Sequence, residues 1–198
     1  MQKELYSLRI EIENCRKCPL AETRRHAIFG EGHSEAPVMV IGEAPGRDED
    51  RIGRPFVGRS GQLLDKILAA CSFNRQEHVF ISNIVKCRPP ENRAPSPREA
   101  AVCMPWLQQQ IECINPKIII LLGATALKYM AGSEYKITRD RGKWILLQQR
   151  MTMPVYHPSA LLRNPNLKRD TWEDFQKIFH KYRELVDPAH TSKHIPIQ

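Results

Sequence analysis

Four of the six cysteines in this 198-residue chain are placed for metal chemistry rather than for packing. Cys15 and Cys18 form a CxxC pair flanked by basic residues, at a helix end that aims both thiolates the same way. Cys87 opens an irregular, proline-rich loop, and Cys103 falls on the helix into which that loop leads. Four thiolates suit either tetrahedral zinc or a 4Fe–4S cluster. Zinc ribbons usually pair two CxxC knuckles, whereas the second pair here is split by fifteen intervening residues. The bland alternative is four unrelated buried thiols, and a CxxC among Lys and Arg makes a poor core site. Cys71 and Cys113 lie on apolar helix faces and read as core.

Regular elements must bring these thiols together. Leu5, Leu8, Ile12 and Cys15 recur at helical spacing, which predicts a helix over 3–14. A short β-branched run at 37–42, a second at 79–85 and a continuous apolar run at 116–123 read as strands, and 144–147 and 153–156 are further strand candidates. Helices are predicted over 61–71, 124–131 and 170–186, with a long loop at 45–61. Ser96-Pro97-Arg98-Glu99 starts another helix, with Ser at the cap, Pro at the first position and Glu closing a capping box. Alternating strands and helices, with strands apolar on both faces, predict a single-domain α/β/α sandwich around a mainly parallel sheet. Ligands of such folds bind beyond the carboxyl ends of the strands. The segments there are 43–46, 83–87, 123–125 and 156–159, which supply the carboxylate of Glu43, the amide of Asn83 and the imidazole of His157.

Composition narrows the class. Apolar residues at 41% and charged residues at 26% describe a globular chain, not a disordered one. The longest apolar run, Ile118 to Leu122, is of strand length, so no membrane span is expected. The first residues alternate charge and apolarity without a signal-peptide core, so a cytoplasmic protein with reduced thiols is expected. Thirty Lys and Arg against 22 Asp and Glu give a net charge of +8, which favours a polyanionic partner.

Four motifs in order then carry a resemblance: Gly42-Glu43-Ala44-Pro45-Gly46, Arg54-Pro55-Phe56-Val57-Gly58, Asn83 with Cys87-Arg88-Pro89-Pro90, and His157-Pro158-Ser159. Together with the four cysteines they strongly resemble the type 4 uracil-DNA glycosylases, over roughly residues 11–183. The resemblance implies a four-stranded parallel sheet and a 4Fe–4S cluster on Cys15, Cys18, Cys87 and Cys103. It also implies hydrolysis of the N-glycosidic bond of uracil in DNA, as the first step of base excision repair. Gly42, Glu43, Ala44 and Phe56 would line the uracil pocket, Asn83 would read the base, and His157 would face its O2. A glycosylase domain over 1–186 and a flexible tail over 187–198 follow, in a monomer.

The residue types suit that chemistry. A flipped uracil needs a ring to stack on and an amide that accepts from N3–H while donating to O4. Cytosine reverses that pattern and leaves polar groups unpaired. A neutral imidazole donating to O2 stabilises the anion left on the base. The water-activating base is open, because Ala44 stands where better-studied branches carry Asp. Glu43 is the first candidate and Glu49 the second, with Asp48 and Asp50 read as solvated loop charges. For DNA, Arg59 and Ser60 open one helix and Thr125 another, both suited to phosphate. Leu162 and Arg163 form a wedge on an irregular loop after His157. Uracil-containing DNA, single- or double-stranded, is the expected partner, with replication or repair proteins as further candidates. A metal-bearing binding module without catalysis is the rival reading. A covalent uracil-binding relative is disfavoured, since no histidine lies between Cys87 and Cys103.

Overall fold

The computed structural model describes residues 2–196. Its strands are β1 (Glu31–Gly32), β2 (Val38–Gly42), β3 (Val79–Asn83), β4 (Ile118–Leu122), β5 (Ile145–Leu147) and β6 (Arg150–Val155). They form one sheet in the order β1-β3-β2-β4-β6-β5. The helices are α1 (Gln2–Glu13), α2 (Leu20–Thr23), α3 (Arg47–Ile52), α4 (Arg59–Ala70), α5 (Pro97–Ile114), α6 (Gly123–Ala131), α7 (Ile137–Asp140), α8 (Pro158–Arg163) and α9 (Leu167–Leu185).

Every residue of β2, β3 and β4 is buried, as suits largely apolar strands in a sheet covered on both sides, with Ser82 and Asn83 the polar residues at the end of β3. Met39, Ile41, Phe80, Ile119 and Leu121 pack into one core layer with residues of α1 and α5. Val38, Val40, Ile81, Ile118 and Ile120 face the opposite layer with Leu64, Leu68, Phe175 and Phe179 of α4 and α9. Each such side chain contributes about 1.5–3 kcal/mol on burial. No described helix is long and apolar enough to cross a membrane.

The four central strands β3-β2-β4-β6 pair in parallel, which is the expected sheet. Short antiparallel strands β1 and β5 flank it, making six strands rather than four. Their residues are only half-buried at most, as befits short strands at the sheet edges.

Other differences are local. The 45–61 stretch contains α3, whose cap is Gly46, a residue without the side chain that signals a helix start. Leu162 and Arg163 lie on α8 rather than on an irregular loop, with His157 as its N-cap. The α5 capping box forms as expected: Ser96 Oγ accepts from Glu99 N at 3.2 Å, and Glu99 accepts from Ser96 N at 2.7 Å. Arg93 adds a bidentate pair on the Glu99 carboxylate at 2.7 and 2.8 Å. The Arg93 guanidinium, followed by Ser96 bonding, holds Glu99 down at about 2.

Residues after 187, read as a frayed tail, fold back on the α4–α9 layer as far as the structure describes them. His190 Nε2 lies 2.8 Å from the Cys71 carbonyl oxygen, and its ring stacks on Phe73 at 5.1 Å. Ile195 is buried in that core layer.

Candidate functional site

The carboxyl ends of the four parallel strands open into a cavity of about 580 Å³. From β2 the chain passes to β3 on one side and returns to β4 on the other, leaving a crevice at the strand ends. Glu43, Ala44, Phe56, Asn83, His157 and Arg163 line the cavity together. Glu49, Ser60 and Thr125 line it as well. Gly42, Arg59 and Leu162 lie outside that lining; Arg59 and Leu162 are exposed.

Gly42 is buried under the cavity floor, and its lack of a side chain shapes that floor. A Cβ there would sit 2.5 Å from Asn83 Oδ1 and 2.6 Å from Phe56 Cζ. Phe56 is itself held in the left-handed region, at φ 51°. Arg75 fixes it from behind, donating to the carbonyl oxygens of Pro55 at 2.9 Å and Phe56 at 2.8 Å. Asp65 Oδ1 accepts from Arg75 Nε at 2.9 Å and orients the guanidinium. Gly61 lets α4 start against this turn, since a Cβ there would fall 1.9 Å from the Phe56 oxygen.

Asn83 is 2% exposed, and its Oδ1 has no hydrogen-bond partner. An unmet buried acceptor costs about 1–3 kcal/mol, so it marks a place where a ligand donor belongs. His157 Nδ1 accepts from Ser159 N at 3.1 Å and lies 2.8 Å from Ser159 Oγ. Accepting at Nδ1 puts the proton of the neutral ring on Nε2. Burial, and then the positive charge of Arg163, push His157 down to about 4; Glu49 opposes them. The ring is therefore neutral at pH 7. Because its folded value lies below the ordinary 6.5, this group's contribution to stability is intact above about 6.5 and is lost as pH falls through about 4.

The carboxylates divide by partner. Glu43 Oε2 accepts a short hydrogen bond from Thr125 Oγ1, so the Thr125 hydroxyl faces a carboxylate rather than open solvent. Glu49 Oε1 accepts from Val57 N and Gly58 N at 2.9 Å each, and Oε2 from Gly46 N at 3.1 Å. That carboxylate ties α3 to the Phe56 turn. Asp50, read as a solvated charge, is buried at 4% exposure and accepts from Arg25 N and His26 N at 2.8 and 3.2 Å. Asp48 is half-exposed, as read. Glu49→Gln is expected to lower stability by about 1.5–3 kcal/mol, the range for a hydrogen bond to a charged group. Thermal unfolding measures it; an unchanged midpoint excludes the clamp.

The cysteines gather too. Cys15, Cys18, Cys87 and Cys103 line one small cavity with Arg24, Lys86 and Trp106. Arg24 Nη1 donates to Cys87 Sγ at 2.8 Å, and Lys86 N to Cys103 Sγ at 3.4 Å. Burial pushes the Cys87 thiol up to about 11 despite Arg24. A thiolate there calls for positive charge beyond the one guanidinium. Among the described residues, no three His, Cys, Asp or Glu side chains are grouped so as to hold a single metal ion. A four-iron cluster gives each thiolate its own iron, and an all-sulfur donor set with cationic neighbours fits that group. Cys71 is fully buried and pushed up to about 12 by burial, as befits a core thiol.

A family model described as the uracil DNA glycosylase superfamily matches residues 29–177, which include every residue lining the strand-end cavity. The chain belongs to the uracil-DNA glycosylase superfamily. Among relatives of this glycosylase, a type-4 uracil-DNA glycosylase of Sulfurisphaera tokodaii is 43% identical over 190 residues, 92% of this chain and 84% of the relative. One of Thermotoga maritima is 45% identical over 170 residues, 84% of this chain and 88% of the relative. Sequence reasoning about the glycosylase missed Arg75, Arg24 and Lys86. Arg75 carries no motif; Arg24 and Lys86 stand near cysteines, the one available hint.

Proposed function

We infer that this protein is a type 4 uracil-DNA glycosylase, which hydrolyses the N-glycosidic bond of uracil in DNA, releasing free uracil and leaving an abasic site in base excision repair. The observation that carries the reading is the buried, unpartnered Asn83 Oδ1 in a cavity shared with His157 and Phe56. A uracil flipped out of the stack lies on the Phe56 ring, which recovers part of the lost stacking. Asn83 Oδ1 accepts from N3–H, and its Nδ2 donates to O4. Cytosine offers an acceptor at N3 and a donor at C4, so it leaves both ends of the amide unpaired.

As the N1–C1′ bond breaks, its electron pair moves onto the base. His157 Nε2–H donates to O2 and stabilises that charge without being a cation itself. Glu43, with one oxygen held by Thr125, faces the sugar cation and orients the water that attacks C1′. The proton lost by water passes to that carboxylate. Cys15, Cys18, Cys87 and Cys103 would hold a 4Fe–4S cluster, which when bound ties the end of α1 to α5 and to the loop after Cys87. Pro89, Asn92 and Arg93 of that loop wall the uracil cavity.

Single- or double-stranded uracil-DNA is the partner, and the chain acts as a monomer. Arg59 and Ser60, at the start of α4, meet backbone phosphate. Leu162, 39% exposed on α8, fills the gap left by the flipped base. Leu162→Ala is expected to slow excision from duplex DNA far more than from single strands, and equal losses on both refute the wedge.

The deciding experiment is anaerobic purification followed by a uracil-release assay on a defined oligonucleotide. The protein should be brown, hold about four irons per chain, and yield free uracil with an abasic site. Tight DNA binding without base release would instead identify a binding module.

A further inference from the structure

Phe56 stands between two cavities. On one side it lines the strand-end cavity, with Asn83 and His157. On the other it lines an opening of about 490 Å³, with Glu31, Asp65, Phe73 and Arg75. Its ring lies 5.7 Å from the His157 ring, and it borders the Gly42 floor together with Asn83 Oδ1. The turn that carries the ring thus has open space behind it, and polar ties hold what packing holds elsewhere. Val57 N and Gly58 N donate to Glu49 on one flank, while the Pro55 and Phe56 carbonyls accept from Arg75 on the other. Arg75 is buried on the connection between α4 and β3, outside the strand-end lining. Asp65 at 2.9 Å and Glu31 at 3.6 Å flank its guanidinium. Glu31, on edge strand β1, also grips Arg54 at the start of the same turn. An aromatic residue at φ 51° keeps that conformation only where its surroundings over-determine it.

We propose that Arg75 is a positioning residue for base recognition: by holding the Pro55 and Phe56 carbonyls it keeps the Phe56 ring placed to stack on a flipped uracil. The proposal rests on the type 4 reading above. Arg75 touches neither the substrate nor the reacting atoms, and acts through Phe56. Without the guanidinium, two buried carbonyl oxygens lose their donor and the turn relaxes into the space behind it. The ring then leaves the floor it shares with Asn83, and uracil loses its stacking surface.

Arg75→Met keeps an unbranched stem and removes the donors. Inhibition of excision by free uracil reads base recognition, and half-saturation by single-stranded uracil-DNA reads the phosphate contacts. Arg75→Met is expected to raise the uracil inhibition constant about tenfold, within the range for loss of one base–aromatic stack. Half-saturation by DNA should stay within about twofold, since phosphate contacts dominate it. An unmoved inhibition constant overturns the proposal, and so does DNA binding weakened as much as uracil binding. A cycle with Phe56→Leu separates positioning from general damage. Once the ring is gone, adding Arg75→Met should leave single-turnover excision nearly unchanged; a loss as large as in the unaltered background overturns the proposal. If Arg75→Met does not fold, Asp65→Ala carries the same measurements, because it removes the half-exposed carboxylate that orients the guanidinium. Its inhibition constant should rise about threefold, the scale of one partly exposed ion pair, and an unmoved constant overturns the proposal. An unaltered protein that releases no uracil overturns the type 4 reading and this proposal with it.

Discussion

His157→Ala is expected to slow single-turnover excision of uracil by about two to three orders of magnitude, the usual result of removing one preorganised donor to a developing anion. The expectation rests on three features of one ring. Its Nδ1 accepts from the Ser159 amide, so the proton sits on Nε2. Burial and Arg163 push it down to about 4, so it reaches the reaction neutral. As the N-cap of α8, it has its backbone fixed by the helix that follows. Uracil-DNA binding should change only a few-fold, because the ground-state O2 carries little charge. The pH profile checks the same assignment. Since His157 stays neutral down to about 4, the rate of the unaltered protein should show no His157 ionisation between pH 6 and 8. A step near the ordinary 6.5 that disappears in His157→Ala would contradict a neutral donor.

Glu43→Gln is expected to reduce the single-turnover rate by about 10²-fold or more, the range for loss of a general base. The substitution keeps the shape and leaves an oxygen to accept from Thr125, so fold and DNA binding should hold. What disappears is the charge facing the sugar cation and the site for the water proton. Glu49→Gln provides the contrast. That change loosens the Phe56 turn and shows first in thermal unfolding. A crippled rate with an unchanged unfolding midpoint in Glu49→Gln, beside a nearly silent Glu43→Gln, would reverse the assignment.

The parts legible in the sequence were those whose signal is local. Val38–Gly42 and Ile118–Leu122 are apolar throughout, Val79–Asn83 is so up to Ile81, and all three lie in the buried parallel sheet. Glu43, Asn83 and His157 followed from their places beyond strand ends. The clamp that Glu49 makes on the Phe56 turn was not legible, because its partners, Val57 N and Gly58 N, lie across a turn that no pattern announces. Asp50 was misjudged for the same reason, its acceptor role depending on the Arg25 and His26 amides. Helix α3 escaped because a glycine caps it, and β1 because a two-residue strand has too few residues to show a period. The packing of Ile195 depends on a core layer built by α4 and α9, which its own polar neighbours do not reveal.

The loop from Cys87 to Ser96 is fastened at its two ends by unlike chemistry. One end would hang, through the Cys87 thiol, on the proposed cluster; the other is locked by the Arg93–Glu99 pair and the Ser96 cap. With Glu99 held at about 2, mild acid leaves the second fastening closed. Loss of that proposed cluster would therefore turn this wall of the strand-end cavity into a flap hinged at Arg93 rather than a free strand. Proteases should nick it between Arg88 and Asn92 first, while α5 behind it stays protected from amide exchange.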